Sequence, residues 1–122
     1  MEDLRTQQIE ALQVAAPYCE KMIGALKSMI EEFSGNRQED TDEYMKGVVD
    51  GLNWIFEVYN GTSSLINEGG EVINKDEVNG CVAKLSAAAD DTAKAEAFKG
   101  ILEFVVKFKT EADKYVSGED AN

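Results

Sequence analysis

Helical periodicity is the feature of this sequence that most restricts its fold. Apolar residues recur every three or four positions in four separate segments, and no segment alternates apolar and polar residues convincingly. The stripe of the first segment consists of Ile9, Leu12, Ala16, Cys19, Ile23, Leu26, Ile30 and Phe33. Because amphipathic helices joined by short loops bury their stripes against one another, the pattern predicts an all-α fold, an antiparallel up-and-down four-helix bundle.

Turn and capping residues mark the ends of these helices. We place the four helices at about 2–34, 41–67, 74–89 and 92–116. Gly35 stands where a left-handed C-cap would end the first helix. Asp40 with Glu43, and Asn74 with Glu77, have the spacing of capping boxes, so each pair predicts the start of a helix.

Pro17 lies inside the first helical pattern, where a proline removes one backbone hydrogen bond. We therefore expect the first helix to be kinked near Pro17, although the apolar stripe keeps its phase on both sides. A chain of 122 residues can bury enough surface for a core of its own, so we expect one domain over residues 1–122. The polar tail, residues 117–122, is predicted to be flexible.

The charge of the chain is strongly acidic and unevenly placed. Acidic residues outnumber basic ones 24 to 12, and the only cations between Gly35 and Asn74 are Arg37 and Lys46. Nucleic acids and anionic lipid surfaces are bound mainly through clustered Lys and Arg, so neither is an expected partner. The acidity either keeps the protein in solution or steers a basic partner toward it.

The two cysteines and the N-terminus indicate a compartment. Cys19 and Cys81 both fall on apolar helical faces, and the N-terminal residues lack the basic and apolar regions of a secretory signal. No apolar run is long enough to span a bilayer. These features predict a cytoplasmic protein with two buried, reduced thiols, and a Cys19–Cys81 disulfide is the alternative if their helices are neighbours.

Several kinds of chemistry lack the residues they need. The chain has no histidine, which removes the usual catalytic triads and the Glu-x-x-His pairs of di-iron bundles. Two distant cysteines supply half a zinc site at most, and the stretch NKDEVNG has Val78 where a calcium loop needs an oxygen ligand. No glycine-rich phosphate loop is present. We therefore predict a protein that is not an enzyme and holds neither metal nor cofactor.

The stretch EYMKGVVDGLNWIFEVYNG, residues 43–61, has more apolar surface than one core face requires. At about 100° per residue its apolar side chains cover roughly 180° of the helix, and Trp54 lies beyond that arc. Tryptophan is enriched at interfaces, and each helix-interior glycine costs roughly 0.8–1 kcal/mol unless a close contact offsets it. We predict that a strip on this helix binds a partner, and its residues are Gly47, Gly51, Trp54, Val58 and Leu65.

A purely structural interpretation of this strip stays open. The helix would then lie between two neighbours of the bundle, with Gly47 and Gly51 allowing close approach and Trp54 covering the end of the core.

In size, acidity and all-helical pattern the chain resembles the small export chaperones of flagellar and type III secretion systems. The resemblance covers the whole chain in these bulk properties, no motif carries it, and it assigns no residue. It implies a non-enzymatic chaperone or adaptor that holds an apolar or basic helical segment of another protein. Two alternatives remain: a structural homodimer formed through the Trp54 strip, and a binder of small apolar ligands. The lumen of such a binder would be lined by Met22, Met29, Phe56 and Phe98.

Overall fold

The computed structural model describes residues 4–36 and 41–116. These residues form four helices and no strand: α1 (Leu4–Glu31), α2 (Thr41–Ile66), α3 (Lys75–Ala87) and α4 (Asp91–Val116). A wide π-helical turn, Glu32–Asn36, continues α1. The all-α four-helix prediction is confirmed, and each helix boundary lies within a few residues of its expected place. The predicted cap at Asp40 and the tail at 117–122 lie outside the described residues.

The direction of each helix follows from the side chains that join it to its neighbours. Gln8, near the start of α1, donates a hydrogen bond to the carbonyl oxygen of Gly61 on α2 at 3.0 Å. Ten residues further along α1, Tyr18 contacts Trp54, which precedes Gly61 in α2. Helices α1 and α2 therefore run antiparallel, as the short connection between them requires.

Helix α4 lies antiparallel to α1 on another side of it. The Gln13 side chain donates to the carbonyl oxygen of Tyr115 at 3.1 Å, and Phe33 stacks on Phe98 with ring centroids 6.0 Å apart. Aromatic rings fill the space between α4 and α2. Phe56 stacks on Phe104 at a centroid distance of 5.5 Å, so these two helices meet through large side chains.

Helix α3 packs against α4, and the two helices run antiparallel. Lys107 of α4 forms an ion pair with Glu77 near the start of α3 at 3.6 Å, and Gly100 faces Cys81 one turn later in α3. Helix α1 is the central element, because it packs along both α2 and α4. The most deeply buried side chains of the resulting core are Leu12, Leu26, Leu52, Ile55, Tyr59, Phe98, Ile101, Val105 and Phe108.

The first helix bends where α1 passes into the π-helical turn Glu32–Asn36, and the kink near Pro17 stays a prediction. The helix continues through Pro17, and Leu12 and Cys19 on either side of it are both fully buried, so the stripe keeps its phase. The proline removes one hydrogen bond without ending the helix. Gly35 instead adopts φ +139°, a conformation that favours glycine, and this agrees with the predicted C-cap.

Asn74 begins α3 as its sequence spacing predicts. Its side-chain oxygen accepts a hydrogen bond from the backbone N–H of Asp76 at 2.7 Å. Among the described residues, the Glu77 carboxylate forms no hydrogen bond with the Asn74 backbone and pairs instead with Lys107 of α4. Asp90 caps α4 in the same manner, accepting from the backbone N–H of Ala93 at 2.8 Å.

Both cysteines are free thiols on different helices. Cys19 is fully buried in the core, whereas Cys81 is half-buried, because α3 is covered mainly by α4. The expectation of two buried thiols is therefore correct only for Cys19. Within the described ranges, no helix combines the length and the apolar character needed to cross a membrane.

Candidate functional site

An apolar groove lies between α1 and α2 and contains two adjoining cavities. The first, of about 350 Å³, is bounded by Met22 and Ala25 of α1 and by Tyr44 and Gly47 of α2. The second, of about 540 Å³, is bounded by α1 and by Trp54. Tyr18 and Lys21 line both cavities and so connect them. We define this surface, the α1–α2 groove, by Val14, Tyr18, Lys21, Tyr44, Gly47 and Trp54.

Large apolar side chains are exposed along this groove. Val14 is 62% exposed and Tyr44 is 48% exposed. Trp54 packs against the core on one side and lines the second cavity on the other. Single exposed apolar residues are ordinary, but several around one concave surface are typical of an interaction site.

Tyr18 and Trp54 form the contact between the two walls of the groove. Their ring centroids are 4.9 Å apart and their planes are inclined by 66°, an edge-to-face geometry that is favourable for aromatic rings. Gly51 lies beneath Tyr18: a Cβ atom at residue 51 would overlap the Tyr18 hydroxyl oxygen and stand 2.5 Å from Met22 Cε. Gly51 thus allows α1 to approach α2 closely.

Gly47 has a different role from Gly51, although it lies only one turn earlier in α2. No atom lies within 4 Å of the position where a Cβ of residue 47 would stand, and the residue is exposed. No described neighbour therefore uses the space that the missing side chain leaves. Gly47 lines the first cavity.

The predicted strip divides into a groove part and a buried part. Gly47 and Trp54 line the α1–α2 groove, Gly51 lies under Tyr18, and Val58 is half-buried against the core. Leu65 is only 4% exposed and belongs to the core, so the surface does not extend to it. At this end of α2, the N-terminal turns of α1 are hydrogen-bonded to Gly61 and Ser64 through Gln8.

The α1 wall of the groove was missed by the sequence reasoning. Val14, Tyr18 and Ala25 are spaced by four and seven residues, so they form a second apolar stripe beside the main one. This stripe was a signal that could have been found. Lys21, which lies between Tyr18 and Ala25, gave no such signal.

A row of acidic residues borders the groove on α2. Glu43, Asp50 and Glu57 are seven residues apart and all exposed, and Glu43 also lines the first cavity. Asp50 is three residues from Gly47 and four from Trp54, so it neighbours both on the helix surface. In the part of the chain that the structure describes, none of these three carboxylates has an ion-pair partner, and neither does Lys21 on the opposite wall.

The titratable groups with displaced pKa values lie away from the groove. Burial raises the pKa of Cys19 to about 12, and burial also raises the pKa of Cys81 and of Tyr59. A hydrogen bond of 2.6 Å to Asp113 raises the pKa of Lys109. A raised pKa makes a thiol a poorer nucleophile at neutral pH, so these shifts activate no cysteine. Among the described residues, no cluster of three or more acidic residues or cysteines could hold a metal ion.

A third cavity, of about 340 Å³, lies between α3 and α4. Cys81, Gly100 and Phe104 line it together with four charged residues, and two of these, Glu77 and Lys107, are already paired with each other. The lining of this third cavity is therefore more polar than that of the α1–α2 groove, and part of its charge is already paired internally. We take the α1–α2 groove as the candidate functional site.

Comparison with known proteins gives one match. A family model described as Domain of unknown function (DUF8042) matches residues 10–108, a range that contains every residue by which the groove is defined. No curated protein and no solved structure matches the chain.

Proposed function

We propose that this protein, which belongs to the DUF8042 family, is a non-enzymatic helical bundle that binds a helical segment of another protein in the α1–α2 groove. The observation that carries the proposal is the half-buried Trp54, which lines the second cavity with exposed Val14, while exposed Tyr44 lines the adjoining first cavity. Aromatic side chains that are partly exposed at an apolar concave surface are frequent anchors of protein interfaces. A chaperone or an adaptor would use such a site to hold its partner.

The dimensions of the groove suit a helix. Along α1, the first cavity is bounded by Met22 and Ala25 and the second by Val14 and Pro17, eight residues earlier. Eight residues correspond to about 12 Å along a helix. Two apolar side chains of a partner helix that are about two turns apart could therefore enter the two cavities, in the manner of other helix-in-groove complexes.

Packing inside the bundle does not favour a small apolar ligand. The residues proposed for a ligand-binding lumen are in contact with neighbouring rings: Phe98 stacks on Phe33, and Phe56 stacks on Phe104. Met29 and Phe98 are fully buried in the continuous core. These side chains fill the interior of the bundle themselves, whereas the α1–α2 groove has no such filling.

Charge favours a different protein over a second copy in the groove. The acidic row on α2 borders the groove, and the whole chain carries a formal charge of −12. A second copy would bring another acidic row close to the first, and juxtaposed like charges oppose association.

Trp54 provides the measurement, because it is the only tryptophan in the chain. The probe is a synthetic amphipathic peptide of about 18 residues, or five helical turns, without tryptophan and with leucines seven residues apart. We expect its titration to shift the Trp54 emission to shorter wavelength, with saturation. Gly47→Leu should abolish the shift, because the new side chain enters the first cavity without meeting another atom of the protein at its Cβ.

Gly80→Leu on α3 is the matched control. Gly80 is also an exposed helix-interior glycine with nothing within 4 Å of an added Cβ, but it lies outside the α1–α2 groove. The Gly80→Leu variant should bind the peptide with the same affinity as the wild type. Unchanged emission with the peptide, or equal binding by Gly47→Leu, would contradict the proposal. If the wild type is a dimer in the absence of peptide and Gly47→Leu dissociates that dimer, the groove binds a second copy of the chain.

A further inference from the structure

We infer that the partner helix of the α1–α2 groove is basic, with Lys or Arg residues at seven-residue spacing beside its apolar anchors. The inference rests on the proposed function, because it assumes that the groove receives a helix. It adds the chemistry of that helix, which the acidic row Glu43, Asp50 and Glu57 determines.

The acidic row has the geometry of a partner contact. Seven residues correspond to about 10.5 Å along a helix and to nearly two full turns, so the three carboxylates follow one edge of α2. A partner helix that lies along the groove has its own residues at the same spacing on one edge. Cations at every seventh position would therefore face the three carboxylates in register, in the way that flanking charges pair between helices of a coiled coil.

The state of these carboxylates agrees with this interpretation. Some acidic residues elsewhere on the described surface are paired, Glu77 with Lys107, Glu96 with Lys99 and Asp113 with Lys109, and others such as Glu71 are not. Along the edge of the groove, the three carboxylates of the acidic row form no ion pair with any described residue. Lys46, the one cation of α2, is exposed and forms no ion pair with it. The row is thus available to a charged partner.

The opposite wall of the groove has the opposite charge. Lys21 of α1 lines both cavities and has no ion-pair partner among the described residues. A helix in the groove would therefore meet carboxylates on its α2 side and an ammonium group on its α1 side. A partner with cations on one edge and a carboxylate on the other fits in one direction only, so the charges select the orientation of the helix as well as its composition.

The test uses two peptides and two triple variants. Both peptides carry the same leucine anchors, and one has three lysines at seven-residue spacing where the other has glutamines. At low salt we expect the lysine peptide to bind the wild type about 10-fold more tightly, since exposed ion pairs contribute a few-fold each. The difference should shrink at about 0.5 M salt, where the screening length is only a few ångströms.

The first triple variant, Glu43→Gln, Asp50→Asn and Glu57→Gln, removes the acidic row. The control variant, Glu31→Gln, Glu71→Gln and Glu103→Gln, removes three exposed carboxylates that lie outside the groove. Both variants change the net charge equally. The first should reduce the preference for the lysine peptide to less than about 2-fold, and the control should keep it. Asp50→Lys, a single exposed change, should weaken the lysine peptide even if the triple variant folds poorly.

The outcomes separate this inference from the proposed function. Equal loss of lysine preference in both triple variants would overturn the inference, because overall charge would then account for it. Equal binding of the two peptides to the wild type, blocked by Gly47→Leu, would overturn the inference while the helix-binding function stands. Binding of neither peptide would overturn both.

Discussion

The Tyr18 hydroxyl group occupies the space that a side chain at Gly51 would need, so the two residues fit each other across the α1–α2 interface. The same tyrosine contacts Trp54 and lines both cavities of the groove. Gly51, which the sequence predicts to lie at the interface with a partner, is therefore covered by Tyr18 and does not form the surface itself. It sets the position of the side chain that forms the surface.

Gly51→Ala should move Tyr18 without unfolding the protein. The new methyl group would displace the Tyr18 ring and the end of Met22, and both are flexible side-chain ends that can shift. The loss of the edge-to-face contact between Tyr18 and Trp54 should change the fluorescence emission of Trp54. It should also weaken the binding of the amphipathic peptides to the α1–α2 groove. We expect unfolding stability to change by less than about 1 kcal/mol, because alanine raises helix propensity by a similar amount.

The control for this change is Gly47→Ala, which adds the same methyl group where nothing lies within 4 Å. It should stabilise the protein by about 0.8 kcal/mol and leave Trp54 emission unchanged. Urea unfolding and fluorescence of both variants provide the comparison. An emission change in Gly47→Ala equal to that in Gly51→Ala would show that Tyr18 is not the cause.

Cys19 should make stability depend on pH above 9. Burial raises the pKa of Cys19 from its ordinary value of 9.0 to about 12 in the folded state. Above pH 9 the unfolded thiol therefore loses its proton while the folded thiol keeps it, so stability is complete below pH 9 and falls as pH rises toward 12. Between pH 8 and pH 10, the ionisation of Cys19 should lower the free energy of unfolding by about 1.4 kcal/mol.

Other groups titrate in the same range, so the measurement is the difference between wild type and Cys19→Ala. Urea midpoints at pH 8 and pH 10 should converge for the two proteins as pH rises. Parallel pH profiles would contradict the assigned pKa of Cys19.

The two thiols should differ in their reaction with a soluble alkylating reagent. Cys19 is fully buried, whereas Cys81 is half-buried at the edge of the α3–α4 cavity. Both pKa values are raised by burial, so reaction at pH 8 should be slow for a free thiol, but Cys81 has access to solvent. Mass spectrometry should find one label on the native protein and two after denaturation. Cys81→Ser should remove the native label, and a label on Cys19 in that variant would contradict the structure.

Gln8 should contribute to stability through the contact between α1 and the end of α2. Its side-chain nitrogen donates to the Gly61 carbonyl oxygen at 3.0 Å and to the Ser64 hydroxyl oxygen at 3.1 Å. Gln8→Ala removes both bonds from a buried position and should cost about 1–2 kcal/mol. Gln7→Ala, at the exposed neighbouring position, should change stability by less than about 0.5 kcal/mol. Equal effects of the two changes on the urea midpoint would contradict this role.

The fold was largely predictable because its signals are local. Helix periodicity, the left-handed Gly35 and the Asn74 cap each depend on a few neighbouring residues, and the structure agrees with all three. The groove was only half predictable. A helical wheel of α2 identified Gly47 and Trp54, but the second wall depends on which face of α1 packs alongside, and no pattern within α2 contains that information.

Two residues of the predicted strip are covered in the structure, as the structural interpretation of the strip allows. Gly51 and Leu65 were assigned to an exposed surface, yet Tyr18 covers the first and the core includes the second. For Gly51 the cover comes from α1, at a sequence distance of more than 30 residues. Whether such a residue is buried depends on which helices pack together. The apolar stripe of one helix does not contain that information.

Helix α3 packs mainly on α4, is 13 residues long and has one buried side chain, Val78. A helix of this length is not stable alone in water, so α3 is stabilised mainly by its packing against α4. Its amide hydrogens should therefore exchange with deuterium through excursions in which α3 detaches while the other three helices stay assembled. The bundle would then behave as a three-helix body with a detachable fourth member that supplies neither wall of the groove.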